Sequence, residues 1–416
     1  MEPAGAGGDL SPAARRLLWS GLTVAMAGSL TGVFVALFLY VTGGRLGAMA
    51  LYSLGLYVGI GATSVWAGSS RLAIGPRALL GAGIALTAAQ YAALLALGPR
   101  ADALVLPLGL LAGVAGGVYW FSVNTLVYDL VPPRQRMHYY GTGQALAAAA
   151  GVALPLVGGL AIARLGGRLG YDSVFAAALL TYLVAWGMAR RLPEGHRVGG
   201  GGGFHALRLL SARPRYRRMW FGLCLQGLRD VSGGFVLVAL VYVATGSAGG
   251  LALYAAAGAL AGAGGALVVR RLAGGRERRA MWLGVAALAA ASAALVPWGP
   301  AIALLAVFQV ATAAAAPLYQ IPLAARLLAV MDEDPEASVT RGAYVLGQEI
   351  ALNGGRLVAI AAVLALAARL PLWPALTLAT AATGALQVAA VWLSDLPPLA
   401  APLPPAPRVP ATARTL

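Results

Sequence analysis

Charged side chains occur inside two long apolar segments of this 416-residue chain. One segment contains Arg229 and Asp230, and the other contains Glu349 and Arg356. An ionisable group deep in a bilayer is costly unless it is paired or hydrated, so such residues mark functional sites by default. An Arg in the middle of a membrane can hold an anionic group, and a buried carboxyl can take up and release a proton.

Each charged pair shares a helical face with neutral polar residues, because residues three, four or seven apart lie on one side of a helix. The first face comprises Gln226, Arg229 and Asp230, and the second comprises Glu349, Asn353 and Arg356, with Gln348 beside it. We expect Asp230 and Arg356 roughly 15–20 Å into the membrane and Glu349 roughly 10 Å. The four charges sum to zero, so a structural ion network is the alternative to a substrate or proton site. The sequence leaves open whether Glu349 or Asp230 titrates.

Neutral polar residues in other apolar segments add to the candidate site. Asn124 and Tyr128 follow i, i+4 spacing in the fourth segment, Gln144 lies in the fifth, and Gln320 lies in the tenth. A polar cavity results if these faces point inward. The acidic residues Asp332, Glu333, Asp334 and Glu336 are expected to form a solvated face.

The composition indicates what holds these residues. The chain is 60% apolar and only 11% charged, whereas soluble domains are roughly 25% charged. A membrane helix needs roughly 20 apolar residues, and twelve segments fit: 17–42, 46–67, 78–98, 101–128, 140–163, 173–191, 217–243, 249–270, 280–298, 300–328, 343–368 and 373–394. Segments 46–67 and 249–270 are rich in small residues, which suit close helix packing. The prediction is an all-α polytopic membrane protein.

The Arg distribution predicts the orientation. If the N-terminus is cytoplasmic, 23 of the 30 Arg residues lie in cytoplasmic segments and five in outer loops. The positive-inside rule then places both termini in the cytoplasm, in a multi-pass protein of the cell (inner) membrane. Because the Arg residues fall between apolar runs, the net charge of +16 does not indicate nucleic-acid binding.

A weak internal repeat divides the chain into two halves. Tyr140-Gly-Thr-Gly-Gln144 recurs as Tyr344-Val-Leu-Gly-Gln348, at an offset of 204 residues. We predict an N-terminal six-helix half at 1–191, a Gly/Arg-rich cytoplasmic linker at 192–216, a C-terminal six-helix half at 217–394 and a Pro-rich cytoplasmic tail at 395–416. Two parallel six-helix repeats are a known transporter plan.

The loop after the second segment contains Gly68, Gly75 and Arg77, with Arg71 between them, and the loop after the eighth segment contains Arg270, Arg271 and Arg276. In these loops the sequence resembles the Gly- and Arg-rich loop of the major facilitator superfamily. Both loops lack the family's Asp, which helps to lock one conformation. The resemblance implies twelve helices in two pseudo-symmetric halves. It also makes the first and fifth helices of each half neighbours, so Asp230 and Arg356 should pair, within reach of Arg229 and Glu349.

The resemblance implies a secondary active transporter that moves a small organic solute by alternating access, as a monomer. Pro155-Leu-Val-Gly-Gly159 is similar to part of a motif of proton-coupled exporters, which favours export in exchange for protons. A lipid flippase on the same fold and a non-transporting membrane receptor or assembly protein are the alternatives; the latter would have a collapsed, apolar centre. No enzyme constellation, cofactor site or metal-ligand spacing is apparent.

Overall fold

The computed structural model of the chain describes residues 10–43, 46–69, 74–195, 208–231, 237–272, 277–298, 302–334 and 337–395. The first half contains α1 (Pro12–Gly43), α2 (Leu46–Ser69), α3 (Pro76–Leu97), α4 (Val105–Leu130), α5 (Arg136–Leu165) and α6 (Gly167–Ala189). The second half contains α7 (Pro214–Val231), α8 (Leu237–Thr245), α9 (Ala248–Leu272), α10 (Glu277–Trp298), α11 (Ile302–Asp332), α12 (Ala337–Arg369) and α13 (Leu372–Ser394).

Each of the twelve predicted segments coincides with helix in the described part of the chain. The seventh segment contains both α7 and α8, and a 3₁₀ helix over Gly98–Leu104 connects α3 to α4. Eight stretches of the described residues are long and apolar enough to cross a bilayer, and one of them, Pro76–Leu130, contains both α3 and α4. Large apolar side chains such as Leu180, Leu260 and Leu283 stay exposed on the bundle, as expected of a surface that lipid tails cover. The prediction of an all-α polytopic membrane protein is confirmed.

The helix pairs of the first half recur in the second half. In the first half, α2 packs on α4, α3 on α4 and α6, and α1 on α5 and α6. The corresponding pairs in the second half are α9 with α11, α10 with α11 and α13, and α7 with α12 and α13. The halves meet through α5 with α9 and through α2 with α12, which are equivalent pairs under the same exchange. The two six-helix halves are therefore pseudo-symmetric, as predicted.

Small residues bring the backbones of α2 and α4 into contact. A Cβ atom on Gly59 would lie 2.7 Å from the carbonyl oxygen of Leu110, and Gly55 faces the carbonyl oxygen of Leu106 in the same way. In the second half, Gly265 on α9 packs against the backbone of Ala314 on α11. Without a hydrophobic driving force between helices in lipid, such close packing is what holds them together. The small residues of segments 46–67 and 249–270 thus have the predicted packing role.

Candidate functional site

A largely buried ion pair joins α7 to α12. Nη2 of Arg356 lies 2.8 Å from Oδ2 of Asp230, and Nη1 of Arg229 lies 3.6 Å from Oδ1 of the same carboxylate. The helices can approach because Gly227 faces the backbone of Leu352, and Gly355 faces the backbone of α7 in return. The predicted pairing of Asp230 with Arg356 is confirmed, and one carboxylate serves two guanidinium groups.

A chain of hydrogen bonds extends this ion pair across the interface between the halves. Nη1 of Arg356 donates to Oδ1 of Asn353 at 3.1 Å, and Nδ2 of Asn353 donates to Oε2 of Glu349 at 3.3 Å. Oε1 of Glu349 then accepts from Nδ2 of Asn124, on α4, at 3.1 Å. Glu349 is 4% exposed and Asn353 is 1% exposed. Glu349 is therefore a buried carboxyl group whose hydrogen-bond donors come from both halves.

Aromatic rings flank both guanidinium groups. The guanidinium carbon of Arg356 lies 5.3 Å from the ring centre of Tyr57 on α2, and that of Arg229 lies 5.7 Å from the ring centre of Tyr319 on α11. Cation–π contacts at these distances stabilise a buried guanidinium. The sequence reasoning missed Tyr57, which lies in a Gly- and Ser-rich segment without charged residues; the packing of α2 on α12 is what brings it to Arg356.

A cavity of about 140 Å³ lies beside Glu349, between the halves. Its polar lining consists of Asn124 and Tyr140 from the first half and Gln226, Gln320 and Gln348 from the second. Leu and Val side chains, with Met331, form most of the remaining wall. The structure thus brings four of the predicted polar residues, namely Asn124, Gln226, Gln320 and Gln348, to one cavity.

Two predicted site residues, Gln144 and Tyr128, belong neither to the ion network nor to the lining of that cavity. Gln144 lies on an exposed part of α5. Tyr128 stacks beneath Arg136, whose guanidinium carbon lies 5.0 Å from the ring centre. Trp120, four residues before Asn124 on the same helix, is 52% exposed. Neither Trp120 nor Tyr128 therefore lines the cavity.

Ion pairs lie at one end of the bundle, the end at which α1 begins and where most of the described Arg residues lie; we call it the Arg-rich end. Nη1 of Arg136, on α5, lies 2.5 Å from Oδ2 of Asp332, on α11, so this pair bridges the halves. Arg213 pairs with Asp334 at 2.8 Å, and Arg215 pairs with Glu333 at 3.0 Å. Asp334 is 5% exposed. The prediction of a solvated face is wrong for Asp334, which is buried beside Arg213, whereas Asp332 remains exposed. Glu336 lies outside the described residues.

The predicted gating loops are described in part. Arg77 lies 2.8 Å from Glu194, and a Cβ atom on Gly75 would overlap that glutamate side chain. Gly68 lies in the last turn of α2. Arg71 and Arg276 fall outside the described residues, and of Arg270 and Arg271 only the backbone position in α9 is described.

The same acid–Arg contact recurs in the second half. Asp395 lies 2.8 Å from Arg278 and 2.7 Å from Arg326, and it accepts a hydrogen bond of 2.9 Å from Nε1 of Trp282. Burial alone would raise the pKa of Asp395, but these hydrogen bonds outweigh it and hold the pKa below the usual aspartate value. The same spacing of 201 residues separates Arg77 from Arg278 and Glu194 from Asp395. Because the two spacings are equal, the sequence alone could have shown that Arg278 and Asp395 correspond to Arg77 and Glu194.

Comparison with known proteins agrees with this architecture. A sequence model of the Major Facilitator Superfamily matches residues 17–351. The chain is 25% identical over 347 residues to the uncharacterized protein YqgE of Bacillus subtilis (strain 168), covering 83% of this chain and 80% of that protein.

Two solved structures share the fold. A bacterial homologue of the iron transporter ferroportin, in an outward-facing state, has a TM-score of 0.68 at 17% identity, and the match covers 93% of this chain and 100% of that one. The human organic anion transporter MFSD10 (TETRAN) has a TM-score of 0.66 at 16% identity, and the match covers 92% and 100%. Since the family match spans most of the chain and the helix pairs repeat between two halves, this chain belongs to the major facilitator superfamily of secondary transporters.

Proposed function

We propose that this chain moves a small organic solute across the membrane by alternating access of the cavity between its halves. The observation that carries this proposal is the lining of that cavity, where amide groups from both halves meet among apolar walls. A receptor or assembly protein on this fold would be expected to have a collapsed apolar centre. The polar lining therefore favours transport over that alternative.

The chemistry of the lining suggests the kind of solute. Asn124, Gln226, Gln320 and Gln348 each offer donors and an acceptor, and none of them carries a charge. Leu223, Leu327 and Leu352 supply apolar surface around them. We propose a solute with several hydrogen-bonding groups and an apolar part, for which a few placed polar groups in an apolar pocket are the usual design.

We propose Glu349 as the group that couples transport to protons. Asp230 faces two guanidinium groups, so its protonation would leave both without their carboxylate partner. Glu349 accepts its hydrogen bonds from the neutral amides of Asn124 and Asn353. Its protonation therefore leaves no guanidinium group without a carboxylate partner. Protonation converts a charge-assisted hydrogen bond into a weaker neutral one. Proton uptake would thereby loosen the contact between the halves.

The direction and sidedness that we propose follow from the sequence pattern. The Arg-rich end is assigned to the cytoplasm by the positive-inside rule, with both termini there and the chain in the cell (inner) membrane. Pro155 and Gly158 of the exporter-like motif are buried in α5, where Gly158 packs against Phe34 of α1. Export in exchange for protons is the direction we propose. One chain contains both halves, so a monomer suffices.

The test is transport in proteoliposomes that contain the purified chain. Mixed solutes from a metabolite and drug library are presented with an imposed pH gradient, and uptake is measured by mass spectrometry. We expect at least one solute to accumulate with a dependence on the gradient. Glu349→Gln should keep downhill exchange of that solute but lose the response to the gradient.

The matched control is Asp172→Asn, which removes a carboxylate whose partner is Arg168 on its own helix. This variant should transport like the wild type. Gradient-driven transport that survives in Glu349→Gln would refute the role of Glu349. Absence of movement of every solute, by a chain that remains folded, would count against transport itself.

A further inference from the structure

A second cavity lies wholly within the second half, separate from the one between the halves. Its volume is about 170 Å³, and α7, α8, α10, α11 and α13 surround it. Its polar lining comprises Arg229, Gln309, Thr312, Thr380 and Thr383, and its apolar lining includes Leu237, Leu288 and Phe308. The function proposed above makes no use of this space.

Arg229 is the charge that faces this cavity. Its contact with Asp230 is long, at 3.6 Å, and that carboxylate is held at 2.8 Å by Arg356. The other contact of its guanidinium among the described residues is the ring of Tyr319, at 5.7 Å. A guanidinium has five N–H donors, and the side chain is 17% exposed. Arg229 therefore has donor capacity that its neighbours in the described part of the chain do not use.

The other polar groups of the cavity complement an anion only in part. The hydroxyl group of Thr312 donates to the carbonyl of Phe308 at 2.8 Å, and that of Thr383 donates to the carbonyl of Thr380 at 2.7 Å. These hydroxyl groups are already engaged with the backbone. Arg229 and the amide of Gln309 supply the side-chain N–H donors of the lining, and Leu237, Leu288 and Phe308 supply apolar surface.

We infer that this cavity binds a small amphipathic organic acid, with its carboxylate on Arg229 and its apolar part against Leu288 and Phe308. Guanidinium and carboxylate form charge-assisted, bidentate hydrogen bonds. Because a water molecule occupies about 30 Å³ in the liquid, the cavity has room for about half a dozen non-hydrogen atoms. A bound carboxylate would also relieve the competition of Arg229 and Arg356 for Asp230. The inference concerns binding alone and does not rest on the proposed transport.

The test compares butyrate with its neutral isostere butyramide. Thermal unfolding of the full chain in lipid nanodiscs is titrated with each compound at pH 7 and constant ionic strength. In the wild type, butyrate should bind about tenfold or more tightly than butyramide, since a hydrogen bond to a charged group is the stronger one. In Arg229→Gln this preference should vanish, because butyrate loses its charged partner.

Two further variants keep the inference falsifiable if Arg229→Gln does not fold. Ala316→Leu adds bulk to the cavity wall while leaving Arg229 in place, and it should weaken the binding of both compounds. Arg100→Gln removes an exposed Arg elsewhere and should change neither. The inference is overturned if the butyrate preference survives in Arg229→Gln, if Ala316→Leu leaves the affinities of both compounds unchanged, or if Gln320→Leu in the other cavity abolishes the preference.

Discussion

Asn124 and Glu349 connect the two halves of the bundle through a hydrogen bond of 3.1 Å between the amide Nδ2 and the carboxylate Oε1. Asn124 belongs to α4 and Glu349 to α12, 225 residues later. Glu349 is nearly completely buried. Since the acceptor is a carboxyl group, a proton on Glu349 changes the strength of a contact between halves that must separate in an alternating-access cycle.

The first prediction concerns this contact. Asn124→Leu removes the donor and leaves the carboxylate short of one partner, which should cost about 1–3 kcal/mol. In a Glu349→Gln background the same change should cost less, because the charge is gone. Thermal unfolding in detergent across the double-mutant cycle measures the difference.

The control for this cycle is Ser122→Ala on the same helix. Ser122 is fully buried, and its hydroxyl group donates to Val118 within α4 at 2.6 Å. Its effect should be equal in both backgrounds. Purely additive effects of Asn124→Leu and Glu349→Gln would contradict the link between the halves.

The Asp230–Arg356 pair could be predicted because helical spacing determines which residues share a face and the family plan makes α7 and α12 neighbours. The Asn124–Glu349 bond could not, since it depends on how the two halves approach each other. For the same reason Tyr57 was missed. Asp334 was predicted wrongly to be solvated, because acidic residues at the end of a helix usually face water. Only the fold reveals that Arg213 pairs with it.

The second prediction ranks substitutions at the buried ion network. Asp230→Asn should be the most destabilising, by up to about 3–5 kcal/mol, because it leaves two largely buried guanidinium groups without a carboxylate. Arg229→Gln should be the mildest, since Asp230 keeps its 2.8 Å contact with Arg356. Combining Asp230→Asn with Arg356→Gln should cost less than the sum of the two. Thermal unfolding of the three single variants and the double variant, each compared with the wild type, checks this order. Equal losses of stability for Arg229→Gln and Asp230→Asn would contradict the geometry.

The third prediction concerns the Arg136–Asp332 pair at the Arg-rich end. Arg136→Gln should loosen the closure there and expose the cavity between the halves. The reporter is Val345→Cys, at a 2% exposed lining position, in a Cys224→Ala background. If the substitution lowers the stability of the closed state by about 1 kcal/mol, the rate at which maleimide labels this cysteine should rise about fivefold.

The matched control for labelling is Arg134→Gln, which removes an exposed Arg two residues earlier. Its labelling rate should equal that of the parent. If both substitutions accelerate labelling alike, general loss of positive charge is responsible and the pair does not hold the halves together.

The fourth prediction tests the close packing of α2 on α4. Gly59→Ala should destabilise the bundle, since the added Cβ would lie 2.7 Å from the carbonyl oxygen of Leu110 and 2.9 Å from the Cα of Gly113. Overpacking of this kind typically costs about 1–3 kcal/mol. Gly32→Ala on α1 is the control, because a Cβ there meets nothing within 4 Å and Ala favours helix. Equal melting temperatures for the two variants would contradict the packing.

The fifth prediction is a pH dependence at Asp395. Its pKa is lower in the folded chain than in the unfolded one, so the carboxylate contributes stability above the usual aspartate pKa and loses it as the pH falls through the folded value. The melting temperature of the wild type should therefore exceed that of Asp395→Asn by a constant amount from pH 7 to about pH 5, and the gap should narrow below about pH 4.

The comparison with Asp395→Asn removes the contribution of every other titrating group, because both proteins carry the rest. Asp172→Asn is the reference for an exposed ion pair, since Arg168 beside it is 54% exposed, and at pH 7 it should change the melting temperature by close to zero. The side chain of Asp395 is 6% exposed and accepts hydrogen bonds from three side chains. At pH 7, Asp395→Asn should therefore lower the melting temperature more than Asp172→Asn does. A gap that narrows near pH 6 would assign the stabilising charge to a different group.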